Sequence, residues 1–393
     1  MNAFFINPML KSLYMNIVNK LIKKVSSQNR SFQILFIISL ILTWFLFIRL
    51  SGSIKLTFKI IRPYDIQNSP HNICEIDECE TEQSQKHGDL FKLFSLDWSS
   101  CYNDFYLNAF DNNETSVDTL IDVGANKAYA VATWLSFFFP EIGINQARLG
   151  DYIRSLQTLS EPCGSCNDCK DSPLKRDNTG KKLQLQIHAF EPQPGTVDVL
   201  RGIKKWMNIS TISDVTFKVH GMAVSDHTGH SLFRKCNAGN EVCSLDISGV
   251  AENAQIQVNT TSLDDFADKN NLSKIDILKI DTEGYEPLVF RGAQRLLKEH
   301  RIRLFIFEYL KDGVWRNTSL EVEIAKLVKL DYVCYMIGKT GVIRVSKCWN
   351  DKFNVNHCNL LCVSTKDERL LFNIDQMRVK SSVATTCKTI SRS

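Results

Sequence analysis

Residues 120–129 read Leu-Ile-Asp-Val-Gly-Ala-Asn-Lys-Ala-Tyr, an apolar run that stops at an Asp and a Gly and continues with apolar residues at helical spacing as far as Pro140. This pattern predicts a strand, a tight glycine turn and a helix. Gly124 would let the backbone approach a ligand, and the helix N-terminus favours a negatively charged group. We therefore expect a nucleotide-like cofactor here. Because Gly124 is the turn's only glycine, an ordinary strand-to-helix connection would show the same pattern.

Charge is distributed unevenly along the 393-residue chain. Residues 1–62 contain nine Lys and Arg and no Asp or Glu, whereas the remainder carries 38 basic and 43 acidic residues. A mildly acidic remainder argues against a nucleic-acid partner. The hydrophobic content of 44% is that of a folded protein with one large domain or two ordinary ones.

An uncharged apolar run at residues 32–48 predicts one transmembrane anchor over residues 31–50, preceded by a short tail at 1–30. Basic residues flank the run on both sides, so charge does not set its orientation. All thirteen cysteines follow the run, as an oxidising lumen would permit. Asn-x-Ser/Thr triplets, which are acceptors for N-glycosylation, begin at Asn29, Asn113, Asn208, Asn259, Asn271 and Asn317. We expect a single-pass membrane protein of the secretory pathway, in the Golgi or ER, with a lumenal domain.

Beyond the anchor we expect a stem at residues 51–115, a domain at 116–366 and a C-terminal tail at 367–393. Aromatic residues near the end of the stem, among them Tyr106 and Phe110, are expected to pack on the domain. The domain carries an insertion at about 143–182, which is longer than a compact βαβ connection needs.

Three cysteines of the insertion, Cys163, Cys166 and Cys169, form two overlapping C-x-x-C steps. Zinc would need a fourth ligand, and none lies at ribbon spacing nearby, although Cys101 or His188 could close such a site from a distance. In a lumenal domain we expect disulfides instead.

Further strand-like and helix-like runs alternate after the insertion. We expect strands at 183–190, 215–220, 275–281 and 303–307, helices at 287–299 and 320–330, and closing strands at 332–337, 342–345 and 359–363. Acids follow successive strands of this series, namely Asp122, Glu191, Asp226, Asp281 and Glu308. Because the carboxyl ends of parallel strands converge on the ligand crevice of an open α/β sheet, we expect these acids to meet there.

At this point the chain resembles FkbM-type S-adenosylmethionine-dependent methyltransferases, over about residues 117–364. The most distinctive matching segment is Leu278-Lys-Ile-Asp-Thr-Glu-Gly-Tyr-Glu286. Other matching segments are Leu120–Tyr129, Phe190–Pro192, Ala223–Asp226, Leu263–Asp265, Gly292–Ala293 and Ile306–Glu308.

The resemblance implies a class I methyltransferase (Rossmann-like) α/β fold, with a seven-stranded, mostly parallel sheet, helices on both faces and an antiparallel last strand. It also implies S-adenosylmethionine as the cofactor. By matched position, the turn of Asp122, Gly124, Ala125 and Asn126 would surround the methionine end of the cofactor. Glu191 would bind the ribose and Asp226 would lie near the adenine. Ala128 stands where the family usually has Gly, which could crowd the cofactor if the position needs a positive φ.

The implied reaction is O-methylation of a hydroxyl on a glycan or on another small or conjugated acceptor. An alcohol is a poor nucleophile, so a general base would help, and Asp281 and Glu283 are the candidates. Glu283 could instead serve only to cap the following helix. The acids could also hold a metal, but no His joins them at ligand spacing, and we predict none.

Other functions fit the sequence less well. A lumenal glycosyltransferase would share the tail, anchor and stem, but the chain lacks the Asp-x-Asp motif that such an enzyme normally needs. A nicotinamide dehydrogenase would need more glycines in the turn and an acid much nearer than Glu191. A catalytically inactive protein that keeps the fold as a binding or scaffold module remains an alternative because of Ala128.

Overall fold

The computed structural model describes residues 104–110, 117–159, 161–164, 166, 168–170, 184–209, 214–338, 341–347, 349 and 353–378. The predicted tail and anchor, and the stem up to residue 103, lie outside these ranges. Within them, no helix has the combination of length and hydropathy that spans a bilayer.

Eleven strands in the described ranges form two sheets of eight and three strands. In chain order they are β1 (Thr119–Val123), β2 (Leu185–Phe190), β3 (Val215–His220), β4 (Ala223–Val224), β5 (Gly229–Arg234), β6 (Gln255–Thr261), β7 (Ile275–Ile280), β8 (Ile302–Leu310), β9 (Tyr332–Ile337), β10 (Val342–Arg344) and β11 (His357–Ser364).

The large sheet has the order β3-β2-β1-β7-β8-β11-β9-β10. Strands β3, β2, β1, β7 and β8 are parallel, and the last strand, β11, runs antiparallel to both of its neighbours, as predicted. The sheet has eight strands where the family resemblance implied seven. The strand beyond those seven is β10, which the sequence predicted as a closing strand at 342–345; it has three residues and pairs antiparallel with β9 at the edge of the sheet.

Eight α-helices accompany these strands in the described ranges. They are α1 (Tyr129–Phe138), α2 (Gln146–Ser155), α3 (Pro194–Met207), α4 (Leu263–Lys269), α5 (Glu286–Gly292), α6 (Gln294–Lys298), α7 (Leu320–Lys329) and α8 (Glu368–Gln376). The single helix predicted at 287–299 is two helices, because Ala293 leaves the helical region with φ −116°.

Helices cover both faces of the large sheet, and each face has its own apolar core. Adjacent strand residues point to opposite faces, so Leu120 belongs to one core and Ile121 to the other, and both are fully buried. Helices α1, α2, α3 and α8 contribute to the first core, and helices α4 to α7 to the second. Burying one such aliphatic side chain contributes about 1.5–3 kcal/mol.

Two segments expected to lie outside the domain pack on its first core. A 3-10 helix at Asp104–Ala109, in the predicted stem, is followed by Phe110, and this segment buries Tyr106 and Phe110 as expected. Helix α8, in the predicted C-terminal tail, buries Leu370 and Ile374 in the same core. The folded part of the chain therefore includes residues on both sides of 116–366.

The small sheet, of order β4-β6-β5, was not predicted. The sequence predicted no strand between 220 and 275, because β4 has two residues and β5 exposes alternate side chains. The loop between β5 and β6 carries a disulfide, Cys236–Cys243, and reaches the edge of the large sheet where β1 and β2 end.

Candidate active site

A cleft lies at the carboxyl ends of β1, β2, β7 and β8. It is lined by seven of the eight residues predicted for the site, Asp122, Gly124, Ala125, Asn126, Glu191, Asp281 and Glu283, together with Glu308. The exception is Asp226, which is not among the lining residues. Its carboxylate is partly exposed and lies 2.8 Å from His227 Nδ1, so its role near an adenine stays a prediction.

The glycine turn brings β1 against both of its neighbouring strands. The backbone N–H groups of Gly124 and Ala125 each donate to Phe190 O at 3.0 Å. Gly124 has φ +79°, and a Cβ on it would lie 1.7 Å from the carbonyl oxygen of Asp281. We predicted that this glycine makes room for a ligand; in the structure it makes room for the backbone that follows β7.

Ala128, at the start of α1, is fully buried and has φ +59°. The sequence raised the question of whether this position needs a positive φ, and the structure shows that it does. Left-handed backbone costs a residue with a Cβ about 1–2 kcal/mol. The first turn of α1 therefore carries strain that a glycine would relieve.

Exchanging Ala128 for glycine should change the free energy of unfolding by less than about 0.5 kcal/mol, because relief of strain offsets the lost methyl burial and the looser unfolded chain. Ala132→Gly, at a buried position inside the same helix, is the matched control. The free energy of unfolding of that variant should fall by about 1.5–2 kcal/mol. It also loses a buried methyl group and gains freedom in the unfolded chain, but it relieves no backbone strain. Denaturant unfolding measures both, and equal losses would show that Ala128 is unstrained.

A buried lysine joins two acids of the cleft. Lys279 Nζ lies 3.3 Å from Asp122 Oδ1 and 3.1 Å from Asp281 Oδ2. Burial opposes the charged form of Lys279, but the two carboxylates outweigh it and raise its pKa. Burial raises the pKa of Asp122, against the effect of Lys279. Asp122 is 1% exposed, and apart from the ion pair of its Oδ1 with Lys279, neither carboxylate oxygen has a hydrogen-bond partner within the described residues.

Glu191 follows β2 and faces the glycine turn. Its Oε1 accepts from the N–H of Gln193 at 2.9 Å and its Oε2 from the N–H of Asn126 at 3.3 Å. Burial raises the pKa of Glu191 to about 7, although both backbone hydrogen bonds act to lower it. Asn126 Oδ1 is buried without a hydrogen-bond partner in the described part of the chain. The turn and Glu191 thus present acceptor atoms to the cleft.

The turn after β7 is shaped by Glu286, which is fully buried. Its Oε1 accepts from Thr282 N at 2.9 Å and from Gly284 N at 3.3 Å, and its Oε2 accepts from Trp315 Nε1 at 2.7 Å. The N-cap residue of the following helix, α5, is Tyr285, and no side chain caps that helix, so Glu283 does not have the capping role considered for it. Glu283 instead has φ +56° and lines the cleft.

Glu283 lies among other acids. Burial, with Asp281 and Glu308 beside it, raises the pKa of Glu283 to about 10. Each of the three residues offers an oxygen within 4.8 Å of the other two, a spacing at which they could hold a divalent cation. His357 Nε2 lies 2.6 Å from Glu308 Oε1, so the fold brings a histidine to these acids that no sequence spacing indicated.

The loop between β5 and β6 forms one wall of the cleft and is fastened to the glycine turn. Lys127, 1% exposed, places Nζ 3.0 Å from Gly239 O and 2.7 Å from Glu241 Oε1. Asn126 Nδ2 donates to Asn240 O at 3.1 Å. This wall was not predicted, because its contacts join residues more than a hundred positions apart.

The cysteine-bearing insertion forms another wall. Cys163 and Cys169 are joined by a disulfide, and Cys166 is also disulfide-bonded, which confirms the prediction of disulfides over zinc. Tyr129 Oη donates to Pro162 O at 2.6 Å, holding the insertion on α1. Cys166 and Asp168 consequently line the cleft. A further disulfide, Cys334–Cys362, joins facing residues of β9 and β11.

Stability should fall as the pH rises from 6.5 to about 8. Burial raises the pKa values of Asp104, Glu191 and Glu286 to about 7. Such groups favour the folded state when protonated; their contribution is complete below the unfolded-state pKa near 4 and is lost as the pH rises through 7. Burial lowers the pKa values of His188 and His220 to about 3 and 4. These histidines therefore favour the folded state above the unfolded-state pKa of 6.5, and their contribution is lost mainly as the pH falls below that value.

Scanning calorimetry at constant ionic strength measures this effect. We expect the melting temperature to drop by several degrees, since each kcal/mol corresponds to about 2–4 °C. Glu283, whose pKa is raised to about 10, adds to the drop over the whole interval, and Glu286→Gln should reduce the drop because it removes one of these titrations. A melting temperature that rises over this interval would contradict the burial of these carboxyls.

One comparison with known families gives a match. The sequence model described as the Methyltransferase FkbM domain matches residues 122–334, more than half of the chain. The matched region begins at Asp122 and includes the glycine turn, Glu191, the turn after β7 and Glu308. No curated protein sequence matches the chain.

Proposed function

Because the chain belongs to the FkbM methyltransferase family, we propose that it transfers a methyl group from S-adenosylmethionine to a hydroxyl of a glycan or of another small or conjugated acceptor. The observation that carries this proposal is the convergence of Asp122, Glu191 and Asp281 on one cleft at the carboxyl ends of the strands. In an open α/β sheet, this is the position at which nucleotide-type ligands bind.

The residues present suit that cofactor. Asp122 and Asn126 hold buried oxygens without hydrogen-bond partners in the described ranges, and such oxygens would accept hydrogen bonds from an amine or a hydroxyl. Each oxygen of Glu191 accepts one backbone N–H and keeps a further lone pair for a ribose hydroxyl. We propose that Asp122 and the turn from Gly124 to Asn126 hold the methionine end, and that Glu191 holds the ribose.

Replacing Glu191 with alanine should weaken S-adenosylmethionine binding about ten- to a hundredfold, because charge-assisted hydrogen bonds to the ribose would be lost. Calorimetric titration measures the affinity. Asp198→Ala, at an exposed position on α3, provides a control that should bind as tightly as the parent. Parental affinity in Glu191→Ala would refute the assignment.

S-adenosylmethionine supplies an activated methyl group on a positively charged sulfur. The protein's part is to align the acceptor hydroxyl, exclude water and accept a proton. Asp281 is the proposed base: its carboxylate lines the cleft and lies 3.1 Å from the ammonium of Lys279. Glu283, whose pKa is about 10, is protonated at neutral pH and can donate a hydrogen bond to the acceptor.

The test of this function is transfer of labelled methyl from S-adenosylmethionine to a panel of glycans, lipids and glycoproteins, followed by mass analysis of the products. We expect a methyl ether on a hydroxyl. Methylation of a nitrogen or a carboxylate would overturn the O-methylation proposal. Binding of the cofactor without transfer to any member of a broad panel would favour the alternative of an inactive binding module.

We also propose that residues 31–50 anchor the protein in a membrane of the secretory pathway, with the catalytic domain in the lumen. Three disulfides among the described residues support an oxidising compartment. The described glycosylation acceptors Asn208, Asn259, Asn271 and Asn317 are all exposed, as glycan attachment requires. Protease protection of the domain in intact microsomes tests the orientation, and digestion without detergent would contradict it.

A further inference from the structure

The cleft is strongly acidic. Eight carboxyl side chains and two lysines line it, and no described arginine or histidine is among the lining residues. Next to the proposed cofactor residues lies what we call the acceptor side, which consists of Asp281, Glu283 and Glu308. Any group that binds there meets three carboxyl groups whose oxygens lie within 4.8 Å of one another.

Both lysines are engaged with protein oxygens. Lys127 Nζ lies 2.7 Å from Glu241 and 3.0 Å from the carbonyl of Gly239. Lys279 Nζ lies between Asp122 and Asp281, at 3.3 and 3.1 Å. Pairing either lysine with an anionic ligand would leave a buried carboxylate without its counter-ion, which is costly in a low-dielectric site.

The acceptor side also contains a carboxylate oxygen that is available to accept a hydrogen bond from a ligand. Glu308 is nine-tenths buried; His357 contacts its Oε1, whereas its Oε2 has no hydrogen-bond partner within the described residues. Asp122 Oδ1 is paired with Lys279 at 3.3 Å, whereas its Oδ2 is similarly without a hydrogen-bond partner. Ionised carboxylates only accept hydrogen bonds, so these atoms suit the O–H of a sugar or the N–H of an ammonium group. They repel phosphate, sulfate and carboxylate.

We propose that the acceptor is neutral or positively charged around its reacting hydroxyl, as in a neutral sugar or an amino sugar, and that acceptors with phosphate, sulfate or carboxylate at that position are rejected. This inference rests on the proposed methyl transfer and adds the charge class of the acceptor.

The test uses probes that carry a charge into the acceptor side without requiring the acceptor to be known. Three analogues of S-adenosylmethionine have nitrogen in place of sulfur and a short alkyl arm in place of the methyl group. The arms have equal length and end in an ammonium, a hydroxyl or a carboxylate. Binding of each probe to the full-length protein is measured by calorimetry in buffer with EDTA, so that no divalent cation neutralises the carboxylates.

We expect the ammonium probe to bind at least as tightly as the hydroxyl probe, and the carboxylate probe about a hundredfold more weakly, because unit charges a few ångströms apart interact strongly in such a site. A carboxylate probe that binds as tightly as the hydroxyl probe would overturn the inference. S-adenosylhomocysteine is titrated in parallel. If it too fails to bind, the proposed function itself is wrong, and the inference fails with it.

A variant identifies the responsible group. Glu308→Gln should reduce the difference in affinity between the hydroxyl and carboxylate probes to about tenfold, since one carboxylate is removed from the acceptor side. Glu321→Gln, on the exposed face of α7, is the matched control and should keep the full difference. An unchanged difference in folded Glu308→Gln would show that Glu308 does not face the probe. If that variant does not fold, the ranking of the three probes on the parent protein still decides.

Discussion

Gly124→Ala is expected to lower the free energy of unfolding by more than about 3 kcal/mol and to abolish binding of S-adenosylmethionine. The new Cβ would lie 1.7 Å from the carbonyl oxygen of Asp281, which is backbone and cannot rotate away. Strands β1 and β7 would have to separate at the point where Asp281 N donates to Val123 O. Denaturant unfolding and calorimetric titration measure the two effects.

A matched control separates the clash from the cost of the backbone conformation. Gly249 also has a positive φ, +70°, but a Cβ on it would have no atom within 4 Å. In Gly249→Ala the free energy of unfolding should therefore fall by only about 1–2 kcal/mol, which is the cost of placing a Cβ in left-handed backbone. If both variants lost the same amount, the close approach of Gly124 to Asp281 would not be what the position requires.

Asp281→Asn should reduce kcat about a hundredfold or more, while the affinity for S-adenosylmethionine stays within a few fold. The amide keeps an oxygen that can accept from Lys279, and the backbone contacts of Asp281 with β1 are unchanged, so only proton acceptance is lost. Steady-state kinetics and cofactor titration of the same preparation separate these effects.

Glu283→Gln is the informative comparison, because Glu283 is protonated at neutral pH and glutamine resembles a neutral carboxyl group. We expect its kcat to fall much less than that of Asp281→Asn. A larger loss in Glu283→Gln would exchange the roles of the two residues. If both variants kept the parental turnover, neither residue would act as a base, and the turn would contribute only by aligning the acceptor.

The large sheet could be predicted from the sequence because its strands are apolar runs bounded by polar residues. The small sheet could not, since β5 is largely exposed and β4 has only two residues. Propensity also suggested one helix where α5 and α6 are separate, because nothing local shows that Ala293 leaves the helical conformation. Such features depend on tertiary contacts.

The acids of the site were predictable for a topological reason, since parallel strands end at the same edge of a sheet. Lys279 carried a signal that we missed, as one of two charged residues, with Asp276, in an otherwise apolar strand. Glu286 carried one too, as an acid in the first turn of α5. His357 and Glu241 carried none. Strand β11 brings His357 to Glu308, and a loop of the small sheet brings Glu241 to the cleft, in both cases from a distant part of the chain.

The central claim is that this cleft is an S-adenosylmethionine site, and calorimetric titration of the folded full-length protein tests it most directly. We expect saturable binding of one equivalent with a dissociation constant in the micromolar range, about −8 kcal/mol, and much weaker binding in Glu191→Ala. No saturable binding at millimolar cofactor, with the protein shown to be folded, would contradict it.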